Sequence, residues 1–303
     1  MRLIKPFCEW IEQPSGLDGV YKQIEIASRT CYKSEDKITE GSAKAFVDRM
    51  IKSGHGAMLE HGTVYLAMPM ETILPIEANG WGKYTKNPYS KGFKVCEVDG
   101  QKKVAVTTNL RVLVEKGWLD DLEYFCEPTE YHEKRVTIKF ALDRVTGESF
   151  IRHRVFSFAR ESTRYCNYSK DKFGNEITLI IPEWCPEIKE GSTKGWDPCS
   201  MYDKLYLQLL QNAEDTYFAL LKQWDEKVPD KRYKSGFKNN PWTPQQARVV
   251  LPFSICSPLV MTGFVSDWKH FFDLRCDPAA HPQARELAIP LREEFIKRGL
   301  LTV

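Results

Sequence analysis

The sequence predicts an α+β protein with a mixed or antiparallel central sheet packed against helices. Apolar residues recur at helical spacing in several segments and with a period of two in others. The two kinds of segment do not alternate strictly, as they would in a doubly wound sheet. Because no shift in composition indicates a boundary, we predict a single domain over residues 1–303.

Helical spacing is clearest in two segments near the N-terminus and in one long segment later. Residues 18–31 carry the first signal. In the second, apolar side chains at 46, 47, 50 and 51 lie between Ser42, suited to the N-cap, and Gly54, a typical helix stop. Residues 201–224 show the longest amphipathic pattern and are predicted to form the longest helix.

Further helices are predicted in the C-terminal part of the chain. Thr243 and Pro244 are typical of a helix start, with threonine as the cap and proline at the first helical position. Two more helices are predicted around residues 267–275 and 282–298, and Pro290 is expected to kink the second. The polar segment 225–240 indicates a surface loop.

Extended segments lie between these helices. Residues 63–68 form an extended run, apolar residues at 136, 138, 140 and 142 predict a strand, and residues 177–181 predict a buried strand. Residues 87–103 are typical of an exposed loop or hairpin. A turn at 146–147 is predicted to lead into a short helical stretch that carries residues 152–154.

Composition limits the classes of partner. The net charge of +2 and pI near 8.0 give no reason to expect nucleic acid, so an anionic ligand must be held by local basic clusters. No stretch approaches the roughly 18–20 apolar residues of a membrane span, and no secretory signal is evident. Nine cysteines without a Cys-x-x-Cys pair indicate reduced thiols, and we therefore expect a cytoplasmic protein.

The densest cluster of reactive side chains runs from Arg152 to Tyr165. Four arginines lie within 13 positions, interleaved with hydroxyl and aromatic residues. Arginine can grip phosphate or carboxylate through two N–H groups, and aromatic rings can stack on a flat ligand, which favours a site for a phosphorylated planar molecule. The alternative interpretation is a solvated basic face whose arginines form ion pairs with Glu148 and Glu161.

The order of residues in this cluster resembles a known family. Arg152-His153-Arg154, seven residues and then Ser162, followed by Thr-Arg164-Tyr165, is similar to the signature of the flavin-dependent thymidylate synthases, the ThyX type. Three further segments resemble that family in the same order, and the resemblance extends from about residue 26 to 298. They are residues 54–61, which contain His55, Glu60 and His61, residues 247–252, which contain Arg248, and residues 270–283, which contain His270 and Arg275.

The resemblance implies the family's fold and its reductive methylation. In that family a methylene group passes from 5,10-methylenetetrahydrofolate to carbon 5 of dUMP, reduced FAD supplies the hydride, and NADPH usually reduces the flavin. The products are dTMP and tetrahydrofolate. The resemblance further implies a homotetramer with active sites at subunit interfaces, acting on small molecules without nucleic acid or membrane.

The resemblance also implies roles for individual residues. The FAD-binding set comprises Arg152, His153, Arg154, Glu60 and His270. The dUMP-binding set comprises Ser162, Arg164, Arg248 and Arg275. Arg275 and His55 are the catalytic candidates, with Arg275 expected to polarise the pyrimidine so that its carbon 5 becomes nucleophilic.

Two chemistries suggested by residue type are not expected. Ser162 lies near a histidine and several arginines, but a serine nucleophile needs a positioned base, and the family is understood to work without one, so we assign Ser162 to binding. His55, Glu60 and His61 do not match the His-Glu-x-x-His spacing of a zinc site, and we predict no metal.

The sequence departs from the family pattern at two places. An Asn-x-Arg arrangement that contributes to the family's flavin site is replaced by Phe264 and Ser266, a loss that neighbours such as Lys269 could offset. Residues 158–160 replace more polar residues of the main motif. Two alternatives therefore stay open: a homologue that makes another 5-modified pyrimidine nucleotide, such as a hydroxymethyl one, and a non-catalytic nucleotide-binding protein of the same fold.

Overall fold

The computed structural model describes residues 1–70, 83–98, 100–192, 197, 200–222 and 241–302. Within these residues the chain forms two compact units. The first comprises 1–7, 141–148 and 161–257, and the second comprises 8–140, 149–160 and 258–303. The expectation of a single domain over residues 1–303 stays a prediction. Among the described helices, none combines the length and the apolar character that crossing a membrane requires.

Strands and helices both occur throughout the described residues. The strands are β1 (Arg2–Ile4), β2 (Phe7–Ile11), β3 (Thr63–Pro69), β4 (Lys91–Val98), β5 (Gln101–Asn109), β6 (Arg135–Ala141), β7 (Ser157–Arg160), β8 (Thr178–Ile180), β9 (Gly191–Ser192) and β10 (Leu259–Phe264). The α-helices are α1 (Gly16–Tyr32), α2 (Ser42–Lys52), α3 (Gly56–Leu59), α4 (Leu110–Lys116), α5 (Arg144–Phe150), α6 (Met201–Leu221), α7 (Pro244–Ala247), α8 (Val265–Arg275) and α9 (Pro282–Lys297).

The second unit is built on two sheets. One has the strand order β2-β6-β10-β7, and its central strand β10 pairs antiparallel with β6 and β7. The other has the order β3-β5-β4 and is antiparallel throughout. Helices α1 and α2 contribute Val20, Ile24 and Val47 to a core shared with β3 and β5. The predicted α+β class with antiparallel sheets is thus confirmed.

A cluster of aromatic rings anchors α8 and α9 in the second unit. Trp268 is fully buried and its ring lies 4.8 Å from that of Phe156, 5.2 Å from Phe271 and 5.4 Å from Phe295. Aromatic pairs at these separations add packing energy beyond the area they bury. The cluster therefore fixes the helix that carries His270 and Arg275 against the sheet.

The first unit contains the sheet β8-β1-β9, in which β1 runs parallel to β8 and antiparallel to β9. Helix α6 turns Leu207, Leu210 and Tyr217 inward against this sheet's apolar residues. The α6 side chain of Glu214 is buried and accepts hydrogen bonds from the N-terminal ammonium of Met1 and from Ile177 N, both at 2.7 Å. A buried carboxylate is stable here because both oxygens have donors.

Most predicted elements are confirmed. The helix pattern at 18–31 corresponds to α1, the strand patterns at 63–68, 136–142 and 177–181 to β3, β6 and β8, and the predicted hairpin at 87–103 to β4 and β5. Helices also occupy the predicted C-terminal segments, with Pro290 inside α9. The predicted loop at 225–240 and the end of the long helix at Trp224 lie outside the described residues.

Two local predictions were wrong. Ser42 is the first residue of α2 rather than its cap, because Gly41, with φ of 74°, takes the N-cap position. The predicted turn at residues 146–147 lies inside α5, because the Asp143 carboxylate accepts a hydrogen bond from Thr146 N at 2.9 Å and starts the helix early. Residues 152–154 therefore lie in the turn after α5 and not on a helix.

Candidate functional site

The turn between α5 and β7 and the C-terminal half of α8 enclose a cavity of about 730 Å³ within the second unit. The turn contributes Arg152, His153 and Arg154. The helix and the segment after it contribute His270 and Arg275. The structure thus brings five of the predicted site residues to one cavity, although 115 positions or more separate the two groups in the sequence.

Arg275 and His153 are joined directly. The arginine donates from Nε to Nε2 of His153 at 3.0 Å and from a terminal nitrogen to the Ser149 carbonyl oxygen at 2.7 Å. A guanidinium has only N–H donors, so the histidine nitrogen must be the acceptor and the ring must be neutral. The two bonds fix the guanidinium in the cavity wall and the imidazole in one tautomer, with its proton on Nδ1.

The protonation state of His153 follows from its surroundings. The side chain is buried, and burial together with the charges of Arg275 and His270 lowers its pKa to about 4. Burial first and the charge of Arg152 second also lower the pKa of Arg275. His153 is therefore uncharged near neutral pH, and the positive charge of this pair resides on the arginine.

Arg152 and Arg154 are exposed, and within the described part of the chain neither guanidinium forms a hydrogen bond or an ion pair. The alternative interpretation of these two arginines as partners of Glu148 and Glu161 is therefore wrong. Glu148 pairs with Arg144 at 3.1 Å, and Glu161 accepts a hydrogen bond from the Tyr168 hydroxyl at 2.6 Å. Two arginines without a carboxylate partner leave the rim of the cavity cationic.

The predicted residues of the 54–61 segment lie elsewhere in the second unit, and none of them lines the cavity. His55 is exposed at the N-cap of α3. The Glu60 carboxylate pairs with Arg111, and the backbone carbonyl oxygen of Glu60 accepts a hydrogen bond from Arg135 at 2.9 Å. His61 is fully buried and contacts the Thr262 hydroxyl at 2.8 Å. The roles assigned to His55 and Glu60 stay predictions.

Three of the predicted dUMP-binding residues belong to the first unit. Ser162 Oγ accepts a hydrogen bond from the backbone N–H of Arg164 at 3.3 Å, and Arg164 Nε donates to the Gln245 side chain at 3.1 Å. Arg248 is exposed and begins a short 3₁₀ helix directly after α7. Gln245 thus holds the Arg164 guanidinium, a contact that the sequence did not indicate. The assignment of these residues to dUMP stays a prediction.

The positions that depart from the family pattern have a cation beside them. Lys91 Nζ lies 2.9 Å from the Ser266 hydroxyl and 2.8 Å from the Asp267 carboxylate. The same ammonium lies 4.6 Å from the centre of the buried Phe264 ring. The basic neighbours at this point are therefore Lys91 from β4 and Arg135 from β6, whose guanidinium lies 5.5 Å from the centre of the Phe264 ring, whereas Lys269 was the one suggested by the sequence.

The cavity also contains residues that the sequence analysis did not single out. Asp273, Leu274 and Asp277 line it together with Ala279 and Ala280. The Asp277 carboxylate accepts a hydrogen bond from Ala279 N at 2.8 Å and so shapes the turn after α8. All five lie within the motif segment 270–283, and their position in that segment was the only indication of them in the sequence.

The donor set fits an anionic, planar group such as a flavin nucleotide. Arg152 and Arg154 offer unengaged N–H groups, Arg275 adds a fixed charge, and the exposed ring of His270, 5.8 Å from that of the buried His153, offers a flat surface. Within the described residues, no cluster of three or more His, Cys, Asp or Glu side chains is arranged to hold a metal ion.

Comparisons with known proteins agree with this donor set. Residues 129–298 match the family described as thymidylate synthase complementing protein. The chain is 22% identical over 268 residues to a flavin-dependent thymidylate synthase of Corynebacterium aurimucosum, covering 88% of this chain and 72% of that protein. It is 26% identical over 295 residues to the enzyme of the same name from Corynebacterium diphtheriae, covering 93% and 80%.

Shorter and weaker matches also occur. A flavin-dependent thymidylate synthase of Pyrococcus abyssi is 26% identical over 170 residues, and the chain spans 57% of its length. A solved structure of the UMP/dUMP methylase PolB from Streptomyces cacaoi, bound with 5-Br dUMP, is 17% identical and has a TM-score of 0.41 over 98% of this chain and 93% of that one. That likeness is too low to support an inference. The family match, however, covers more than half of the residues, and the chain therefore belongs to the thymidylate synthase complementing protein family.

Proposed function

We propose that this chain is a flavin-dependent thymidylate synthase, which converts dUMP to dTMP with 5,10-methylenetetrahydrofolate as the carbon donor. The observation that carries the proposal is the cavity formed by residues 152–155 and the end of α8, where two unengaged arginines lie beside a third that is held by His153. Membership of the family and relatives that bear the name support the same activity.

When bound, reduced FAD supplies the hydride for the methyl group. Arg152 and Arg154 bind its anionic parts through their free N–H groups. His153 stays neutral and accepts a hydrogen bond from Arg275, so that it orients this guanidinium without adding a second charge. His270 is exposed on the same cavity wall and completes the flavin-facing set.

On the nucleotide side, Arg275 polarises the pyrimidine. Its guanidinium is held at two points, and a fixed donor costs little reorganisation as negative charge develops on the pyrimidine carbonyl. Ser162, Arg164 and Arg248 bind dUMP, with the phosphate held by arginine and hydroxyl donors. His55 and Glu60 contribute to the part of the active site that lies near the flavin and the folate.

The remaining parts of the proposal follow from the family resemblance. NADPH reduces the flavin, and the active form is a homotetramer whose subunits each contribute to the active sites. The chain acts as one catalytic domain over residues 1–303 on small-molecule substrates in the cytoplasm.

The test is incubation of the purified protein with dUMP, methylenetetrahydrofolate, FAD and NADPH, followed by mass analysis of the nucleotide. Formation of dTMP is the expected result. If the product is a hydroxymethylated nucleotide, the protein is instead a homologue that makes another 5-modified pyrimidine. If the protein binds no FAD, seen as an absent oxidised-flavin absorbance after addition of FAD and desalting, the synthase assignment is abandoned.

A further inference from the structure

The backbone of Arg164 is fixed by a tight turn within the first unit. In this turn Ser162 O accepts hydrogen bonds from Tyr165 N at 3.2 Å and from Cys166 N at 3.0 Å. The Ser162 hydroxyl accepts a further hydrogen bond from Arg164 N at 3.3 Å. Because the backbone is held in this way, the direction of the Arg164 guanidinium depends on the partner of its side chain.

That partner is the side chain of Gln245. Arg164 Nε donates to Gln245 Oε1 at 3.1 Å, whereas the two terminal nitrogens of the guanidinium have no hydrogen-bond partner within the described part of the chain. A guanidinium can only donate, so the amide oxygen must be the atom that faces it. The amide nitrogen of Gln245 also has no partner among the described residues. The contact therefore fixes the arginine and leaves N–H groups of both side chains available.

Gln245 is supported by the short helix α7 and not by its contact with Arg164. The Gln246 side chain accepts a hydrogen bond from Thr243 N at 2.9 Å and so fixes the start of this helix. Ala247, at the end of the helix, is fully buried in the core to which α6 also contributes. The helix thus presents Gln245 from a fixed position.

Arg248 lies on the same side of this helical segment as Gln245. It follows Gln245 by three positions, where α7 passes into a 3₁₀ helix. Residues three apart on a helix are neighbours, with about 5–6 Å between their Cβ atoms. The hydrogen bond from Arg164 to Gln245 therefore brings a second guanidinium, distant in the sequence, to the side of α7 that carries Arg248.

The charges of these two arginines are not compensated. Neither Arg164 nor Arg248 pairs with a carboxylate in the ranges that the structure describes, and the residue that holds Arg164 is a neutral amide. A phosphate monoester carries a charge of about −1.5 to −2 near neutral pH. Two unpaired guanidiniums match that charge, whereas a carboxylate in the place of the amide would cancel half of it.

We propose that Gln245 is a positioning residue for the phosphate of the nucleotide substrate. Its amide oxygen holds Arg164 beside Arg248, and its neutrality leaves both positive charges available to a phosphate monoester. Its own N–H groups add uncharged donors on the same side of α7. This role rests on the proposed function in one respect, which is the assignment of Arg164 and Arg248 to dUMP.

The test measures binding to the full chain by calorimetry in the presence of FAD, with dUMP and with deoxyuridine, which lacks the phosphate. The parent protein is expected to bind dUMP about tenfold or more tightly than deoxyuridine, since hydrogen bonds to charged groups are the stronger ones. Gln245→Met keeps the length of the side chain but removes the acceptor. This variant should bind dUMP about fivefold more weakly, the scale of one exposed contact, with no comparable change for deoxyuridine.

Two results of this experiment overturn the proposal. One is equal affinity of the parent protein for dUMP and deoxyuridine, which would show that no phosphate is recognised. The other is an unchanged dUMP affinity in Gln245→Met.

Gln246→Met is the matched control, because the neighbouring glutamine contacts Thr243 and not Arg164. Loss of this contact at the helix start should lower the Tm and leave the ratio of dUMP to deoxyuridine affinity as in the parent. Gln245→Met should lower that ratio and leave the Tm unchanged. If both variants lower the ratio equally, Gln245 acts only through the stability of α7, and the proposal is wrong.

Gln245→Glu separates the position of Arg164 from the charge of the site. A carboxylate still accepts from Arg164 Nε, but it cancels one positive charge and has no N–H group to donate. The dUMP affinity should fall about tenfold, the scale of repulsion between two charges near a protein surface. The fall should shrink as the salt concentration rises, because salt screens exposed charges. Equal or higher dUMP affinity in this variant overturns the proposal.

Failure of this proposal and failure of the proposed function give different results. If the parent forms dTMP and Gln245→Met binds dUMP as tightly as the parent, Gln245 has no positioning role and the synthase assignment stands. If dUMP binds with the expected dependence on its phosphate and on Gln245 but no dTMP forms, the synthase assignment fails and the role of Gln245 stands.

Discussion

The Arg275 guanidinium and the His153 imidazole form a hydrogen bond of 3.0 Å from Nε to Nε2, which links the end of α8 to the turn before β7. The bond requires a neutral histidine, and the arginine's own charge helps to keep the pKa of that histidine low. Each residue thus fixes the other's orientation, and a change at position 275 has consequences at position 153.

Arg275→Ala is expected to abolish dTMP formation while FAD remains bound. The variant loses the donor that is proposed to polarise the pyrimidine, and dUMP binding should weaken by about 2–5 kcal/mol, the cost of truncating a buried charged contact. The pKa of His153 should rise, because the charge of Arg275 is one cause of its lowering. Turnover, flavin absorbance and NMR titration of the histidine are the measurements. Normal turnover in this variant would refute the assigned role.

Arg154→Ala is expected to weaken FAD binding, because its exposed guanidinium has no partner among the described residues and is available to an anionic cofactor. The FAD dissociation constant should rise at least about tenfold, the scale of one lost charge-assisted hydrogen bond. Arg292→Ala, at an exposed position of α9 that does not line the cavity, is the matched control. Equal FAD affinity in the two variants would contradict the prediction.

Local patterns in the sequence predicted the secondary structure well where one physical rule dominates. The period of two at residues 136–142 follows from the pleat of a half-buried strand, and β6 occupies this segment. The prediction of a turn at residues 146–147 was wrong because Gly147 was taken as a turn residue. The Asp143 side chain and carbonyl oxygen instead accept hydrogen bonds from Thr146 N and Gly147 N and continue the chain as a helix.

The cavity was predicted only in part, since His55, Glu60, Ser162, Arg164 and Arg248 do not line it, and its geometry was not predicted. The motifs identified Arg152, His153, Arg154, His270 and Arg275, all of which line one cavity. No periodic pattern could show that Arg275 donates to His153, because the two lie 122 positions apart. His61 could not be placed for the same reason, since its contact with Thr262 spans 201 positions.

The free energy of unfolding is expected to fall in acid partly because of two buried histidines. The pKa of His153 is lowered to about 4, and burial together with the charge of Arg135 lowers that of His61 to about 3. Both pKa values lie below the usual value of 6.5. Between each of these values and pH 6.5, the unfolded chain therefore binds more protons than the folded chain does. Stability is therefore fully present above pH 6.5 and is lost as the pH falls toward 4 and then 3.

Each histidine is expected to contribute a slope of about 1.4 kcal/mol per pH unit within its window. Urea unfolding at several values between about pH 4.5 and 7.5 measures the slope, and comparison with His153→Gln removes the background from titrating carboxylates. Over this pH range, the free energy of unfolding should fall less in the variant than in the parent. An identical pH profile in both proteins would show that His153 does not titrate with folding.

Lys91→Gln is expected to lower FAD affinity more than Lys269→Gln does. The prediction follows from the resemblance, which places a flavin contact at positions 264 and 266, and from the contact of Lys91 with Ser266 at 2.9 Å. The FAD affinity of the Lys91 variant should fall about fivefold, which is the loss expected when a partly exposed charge is removed. Fluorescence titration of FAD against both variants measures it, and a larger effect at Lys269 would show that the cation from β4 is not the substitute.

Gly263→Ala is expected to destabilise the protein and to weaken FAD binding together. A methyl group at position 263 would lie 2.4 Å from Cδ1 of Phe156, whose buried ring packs 4.8 Å from Trp268. Phe156 follows the Arg-His-Arg turn by two residues, so moving its ring disturbs the turn, and overpacking costs about 1–3 kcal/mol. Urea unfolding and FAD titration measure the two effects. Adding Phe156→Leu relieves the clash and should restore part of the stability, whereas a Gly263→Ala variant as stable as the parent would show that the ring moves without cost.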